Sequence, residues 1–320
     1  VFRDERFGRL SAMQSFGLDL STDPRKAWWC ELAWPAGGGR VQLVDLGQAH
    51  AFGARDDASH AAVLADRLAQ FAPGGGRVAG IDAPLGWPRA FLEAISGWQH
   101  DASPHIRKRT ELRLRPTDRF VQEVTGLTPM SVSTDRIGST ALLCAHVLSE
   151  LAGRLAVPVI DRGRAEHGIA EVYPAAALRL WGAHDGRPLA WSGYKVDPAA
   201  RTVLLRQLSA VVDLDLDGAA VHSMTVSDDA LDALLCALVA GAVARAETFA
   251  VDDAVRAGDL VPPSTRVTDP LAALDARASR AEAVRAQAVD DAAREGWIHV
   301  PRRASLSALL HPAASVGYGG

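Results

Sequence analysis

From Gln14 the hydrophobic positions fall into three short runs, QSFGLDLS, AWWCELAWP and RVQLVDLG, with DPRK and AGGG between them. Run length and turn-forming connectors predict three successive strands, an antiparallel meander. The spacing then lengthens. An Ala-rich amphipathic stretch over 57–70 predicts a helix, and after PGGG the run RVAGIDAPLG predicts a short strand ending in an acid and a proline turn. A strand–helix–strand crossover of this length favours a parallel neighbour.

The stretch from Trp87 to Gly126 is polar, basic and broken by prolines, so it reads as an insertion over one end of the sheet. A long helix is expected over 135–152, then LAVPVI, then GIAEVYP as a further short strand ending in acid and proline. Helices are expected over 175–181, 199–212 and 227–247, with a charged helix over 270–295 before the strand-like GWIHVP. There are no internal repeats. This order is that of an α/β, ribonuclease H-like domain: a mixed five-stranded sheet, three antiparallel strands then parallel ones, with helices on both faces. The expected organisation is an extension over 1–13, one domain over 14–301 with an insertion after the fourth strand at about 87–153, and a tail over 302–320.

Composition bounds the function. A chain of 320 residues, 48% of them hydrophobic, can bury a sizeable core. A net charge of −4 and a pI near 6.2 give no global attraction to nucleic acid, which excludes a histone-like or coat-like role and leaves only a local basic patch for such binding. Cys30, Cys144 and Cys236 lie far apart without metal or disulfide spacing, and read as buried free thiols. No signal-like apolar segment opens the sequence, and the run Leu231–Ala244 is too short to span a bilayer. A cytoplasmic protein without a membrane partner is expected.

The chemistry lies in the acids. Asp19 sits inside the apolar run Phe16, Gly17, Leu18, Leu20, where a carboxylate is costly unless paired, hydrogen-bonded or metal-bound. Asp82 ends the IDAP strand, and ligands of open α/β sheets bind at strand carboxyl ends. If the first and fourth strands are neighbours, the two acids are adjacent. In SDDALDALLCALVA, Ser227 is a natural N-cap, and Asp229 and Asp232 are three apart on one helical face. Capping and the helix dipole explain acids in a first turn, but not Asp232 within the stripe Leu231, Leu234, Leu235 and Leu238. Such a group suits Mg²⁺ or Mn²⁺, and two ions about 3.5–4 Å apart activate a water and stabilise the leaving oxygen of a phosphodiester. No His, Cys or Ser nucleophile is then needed. Glu171, ending EVYP, is a fifth candidate, either near the metal or as an acid at the start of the next helix.

Together GLDLS, IDAPLGWP, RPTDR, EVYPAAALRLWG, GYK with Arg201, SDDALDALLCALVA and EGWIHVP resemble the domain of unknown function 429 family, over about Phe16 to Pro301. That resemblance implies a nuclease of the ribonuclease H-like superfamily, a hydrolase acting on ester bonds. The DALDALLCA helix is also similar to that of Holliday-junction resolvases, which implies metal ligands at Asp19, Asp82, Asp229 and Asp232. Asp82 stands where the resolvases carry glutamate. In the mechanism so implied, Asp19 bridges two ions.

Two basic groups could hold substrate phosphates. RKRTELRLRPTDR carries Arg107, Lys108, Arg109, Arg113, Arg115 and Arg119, with Asp118 able to approach the acids or to pair with Arg115 or Arg119. The alternative is a solvated charged helix face. Tyr194, Lys195 and Arg201 form the second group, and Trp87 is the tryptophan placed to stack a base. The expected partner is a nucleic acid or nucleotide, and the 270–295 helix could pack on a second subunit as a homodimer. A haloacid-dehalogenase-type phosphatase is the other enzymatic reading of DLST, but the second acid it needs two residues on is Ser21. An actin-like ATPase lacks its glycine-rich phosphate loops here. A ribonuclease H-like binding module with little or no catalysis is the non-enzymatic alternative.

Overall fold

The computed structural model describes residues 11–35, 39–71, 77–98, 109–184, 187–251, 286–302, 306 and 309. Along the chain, β1 (Ser11–Asp19), β2 (Trp28–Pro35) and β3 (Val41–Gln48) lead into α1 (Asp57–Ala69) and β4 (Arg77–Asp82). Between β4 and β5 lie α2 (Arg89–Trp98), α3 (Arg109–Arg113), α4 (Pro116–Thr125) and α5 (Gly138–Leu155). Then follow β5 (Ile169–Val172), α6 (Pro174–Trp181), a hairpin of β6 (Ala183–His184) and β7 (Arg187–Pro188), and α7 (Pro198–Val212). β8 (Leu214–Asp215), α8 (Gly218–Val226), α9 (Asp228–Ala244), a helical segment at 286–295 and β9 (Ile298–His299) complete the described elements.

The first three strands pair antiparallel in sequence, and β4 and β5 join the other side of β1 in parallel. The central order β3-β2-β1-β4-β5 is the ribonuclease H-like arrangement expected from the chain. Two short strands widen it to seven: β8 pairs parallel with β3, and β9 parallel with β5. GWIHVP was expected as strand; Leu214–Asp215 was not, since two residues are too few to show alternation. α5 starts at Gly138 and not at Asp135, because the Asp135 carboxylate accepts from the Ser131 amide in a preceding turn. Most of the expected 270–295 helix, together with Arg107 and Lys108, lies outside the described residues.

Alternation along the strands sorts side chains between two layers. Phe16 and Leu18 of β1 and Ala79 and Ile81 of β4 pack with Leu64 and Leu68 of α1 and Val147 and Leu151 of α5. On the other face, Leu32 and Trp34 of β2, Val78 and Val172 pack under α9, which α7 and α8 flank. Within β1, Asp19 shares the α9 face with Ser15 and Gly17, while Phe16 and Leu18 point to the opposite face. A third cluster joins Phe120 and Val121 of α4 to Ala292, Trp297 and Ile298. Among the described residues, no helix is long and apolar enough to cross a membrane.

Candidate metal centre at the carboxyl ends of β1 and β4

The parallel register pairs Asp19 directly with Asp82, so both carboxylates leave the same face at the same height. α9 lies across that face. Its residues are buried from Ala230 to Ala242, as expected for a helix hydrophobic all round, and Asp232 is buried with them. Ser227 caps this helix, accepting from the Ala230 amide at 3.2 Å, which fixes where the first turn begins. Carboxylate oxygens of Asp19, Asp82 and Asp232 thereby come within 4.8 Å of one another.

The three acids are not equivalent. Asp232 accepts from the Tyr194 hydroxyl at 2.9 Å through one oxygen and is paired with the Lys195 ammonium through the other. Among the described residues, none donates a hydrogen bond to Asp19 or Asp82. Burial, joined by repulsion from Asp232 and Asp82, raises the Asp19 carboxyl well above its ordinary range. Burial and then Asp232 push Asp82 up to about 8. Burial also raises Asp232, against the attraction of Lys195 and the bonds from Lys195 and Tyr194. For Lys195 burial works toward loss of charge, but Asp232, Asp19 and Asp82 outweigh it and hold the ammonium protonated. Oxygen ligands without protein donors, crowded with a like charge, fit a hard divalent cation: the ion would supply the counter-charge that the fold leaves out.

Residues 17–256 match the family model described as Protein of unknown function (DUF429). The chain belongs to the DUF429 family. No curated protein and no solved structure matches it.

The other residues singled out in this DUF429 chain sit in different surroundings. Asp229 is half-buried in the first turn of α9, outside the converging group yet near enough to repel Asp19. Glu171 pairs in register with Ile81 and not with Asp82, so its side chain leaves the sheet on the opposite face. There it accepts from the Leu85 amide at 3.0 Å and from Arg115 at 2.6 and 2.8 Å. Arg115 is itself buried, and its remaining donors go to Asp118 at 2.9 and 3.2 Å and to the Glu295 carbonyl at 3.0 Å. Every N–H of the guanidinium is engaged, leaving none for a phosphate. Asp118 is thus the Arg115 partner, not a member of the acid group.

Arg201 is likewise turned inward. It donates to the carbonyls of Thr225 at 2.7 Å, Val226 at 3.1 Å and Tyr194 at 2.8 Å. This straps the loop bearing Tyr194 and Lys195 to the end of α8, next to the start of α9. Arg119 lines a cavity of about 200 Å³ with Arg89, Glu111 and Glu295. Trp29 and Trp34 are core residues whose indoles donate to Asp45 and Ser15, whereas Trp87 is half-buried. A smaller cavity of about 80 Å³ opens beside Asp82 and is walled by Tyr173, Met130 and Ile137.

Gly17 and Gly80 were missed by the sequence reading. A side chain on Gly17 would run into the backbone of Ala233 and Ala237, and a Cβ on Gly80 would lie 2.8 Å from the Cys236 carbonyl. These two glycines let α9 lie against the sheet. The signal was available, since Gly17-Leu18-Asp19 and Gly80-Ile81-Asp82 repeat one Gly-x-Asp pattern.

Proposed function

We propose that this protein is a metal-dependent phosphodiester hydrolase acting on nucleic acid or a nucleotide. The observation that carries this reading is the meeting of Asp19, Asp82 and Asp232 within 4.8 Å at the carboxyl ends of two parallel strands. Carboxylates alone make up that group, a donor set suited to Mg²⁺ or Mn²⁺ and not to a soft metal. A bound ion would supply Lewis-acid activation of a water and charge stabilisation at the leaving oxygen.

The chain's own residues divide the remaining work. Asp19 and Asp82 would hold the ion with oxygens that have no described protein donor. Asp232, fixed by Tyr194 and Lys195, would close the group from above. Asp229 stands one turn away as an outlying acid. Lys195 keeps 49% of its side chain exposed, so its ammonium can meet both the acids and a phosphate from solvent. Arg201 would act through Tyr194 by holding that loop, and Arg115 with Glu171 would hold the floor of the cavity beside Asp82.

The test is a panel of labelled single-stranded, duplex and branched DNA and RNA, with small nucleotides alongside, incubated with Mn²⁺ or Mg²⁺. Cleavage of a panel member that is lost in chelator and falls more than about 100-fold in Asp19→Asn supports the reading. Binding of metal with the whole panel left intact would favour the non-catalytic module instead.

A further inference from the structure

Lys195 is one of three lysines in a chain with 31 arginines. It projects from the turn at 192–196 between β7 and α7, and its ammonium is paired with Asp232 and lies 3.7 Å from an Asp228 oxygen. Both acids are on α9. Its position is fixed from two sides: the neighbouring Tyr194 donates to Asp232, and Arg201 holds the Tyr194 carbonyl. A positive charge is therefore built into the α9 side of the acid group, while Asp19 and Asp82 on the sheet side have no donor among the described residues.

We infer that Lys195 takes the place of a second divalent ion, so that the centre holds one Mg²⁺ or Mn²⁺ on the Asp19–Asp82 side and an ammonium on the Asp232–Asp228 side. This rests on the metal-dependent reading above and changes its stoichiometry from the two ions expected from the acid pattern. The physical case is one of occupied ligands. Both oxygens of Asp232 are already engaged, and an ion drawing on them would have to displace the lysine and meet its charge at close range. An ammonium is a compact point charge with rotatable donors, able to serve the acids and a phosphate together. Its half-exposed side chain leaves room for the second contact.

The experiment counts ions, independent of turnover. Mn²⁺ is titrated into the metal-free full chain by calorimetry, with electron paramagnetic resonance on the loaded protein, for wild type, Lys195→Met and Lys195→Arg. Wild type and Lys195→Arg are expected to take one Mn²⁺ with an uncoupled spectrum. Lys195→Met is expected to take two, with the broadening of a spin-coupled pair. Thermal melts check that each variant is folded, since Lys195→Met leaves buried Asp232 without its ammonium partner. Two ions in the wild type, or one ion in a folded Lys195→Met, would overturn the inference while leaving a metal-dependent centre in place. No ion in wild type would remove the metal-dependent reading and this inference with it.

Discussion

Gly17 and Gly80 lie opposite each other in the parallel register of β1 and β4, each two residues before an acid of the centre. Because period two puts i and i+2 on one face, each strand presents its glycine to the backbone of α9 and its aspartate to the space beside it. The helix can lie close only where no side chain intervenes, and that closeness brings Asp232 down to Asp19 and Asp82. Gly17→Ala would force a Cβ into the Ala233 and Ala237 backbone. We expect a loss of about 3 kcal/mol in chemical denaturation, together with weakened Mn²⁺ binding. A variant as stable as wild type would show that α9 is not seated on this glycine.

The raised carboxyls make the metal-free protein pH-sensitive in a defined direction. A carboxyl whose folded pKa lies above its unfolded value, about 3.9 for aspartate, contributes fully below the unfolded value. That contribution is lost as pH rises through the folded one. For Asp82 the window therefore runs from about 4 to about 8. In chelator, the melting temperature of wild type relative to Asp82→Asn should fall across this range, and Mn²⁺ should restore more stability at pH 8 than at pH 5. Parallel melting profiles for the two proteins would mean that burial and the neighbouring Asp232 do not raise the Asp82 carboxyl.

Glu171 separates a structural acid from a metal ligand. Glu171→Gln removes one of the two carboxylates that flank buried Arg115, which keeps Asp118 as its counter-charge, and it takes away an acceptor of the guanidinium. The expected cost is about 2 kcal/mol of stability from the lost charge-assisted hydrogen bonds, with Mn²⁺ affinity within about threefold of wild type, less than the tenfold or greater change typical of groups that support a metal ligand. Calorimetry and denaturation on one preparation check both. A selective loss of metal affinity at unchanged stability would place Glu171 in the metal centre.

Arg201 should behave as a strap and not as a phosphate ligand. Arg201→Gln removes the charge and cannot reach the carbonyls of Tyr194, Thr225 and Val226 together. A fall of about 2 kcal/mol in stability is expected from the stranded carbonyls, with the salt dependence of substrate binding unchanged. A weaker salt slope at full stability would instead make Arg201 a direct phosphate contact.

How far the sequence reaches can be seen at individual residues. The meander, the parallel return of β4 and the helix bearing Asp232 were legible because each is long enough to show its period, and Asp232 stood out as a charge within a leucine stripe. The pairing of Asp19 with Asp82 followed from their places at strand ends. Register was not legible: Glu171 also ends a strand, but a one-residue offset pairs it with Ile81 and sends it to the opposite face. Arg115 lay in the most basic stretch and read as surface, yet burial with Glu171 and Asp118 is decided by contacts distant in sequence. β8 was invisible because its two residues carry no pattern, its place being fixed by pairing with Val41 and Gln42.

The most direct measurement is calorimetric titration of Mn²⁺ and Mg²⁺ into the metal-free wild type and into Asp19→Asn, at a pH above 8, where more of the Asp82 carboxyl is ionised. If the three acids form a divalent-metal centre, wild type binds the ion, and Asp19→Asn, still folded by its melting curve, loses that binding. Equal binding by the two proteins, or none by the wild type, would contradict it.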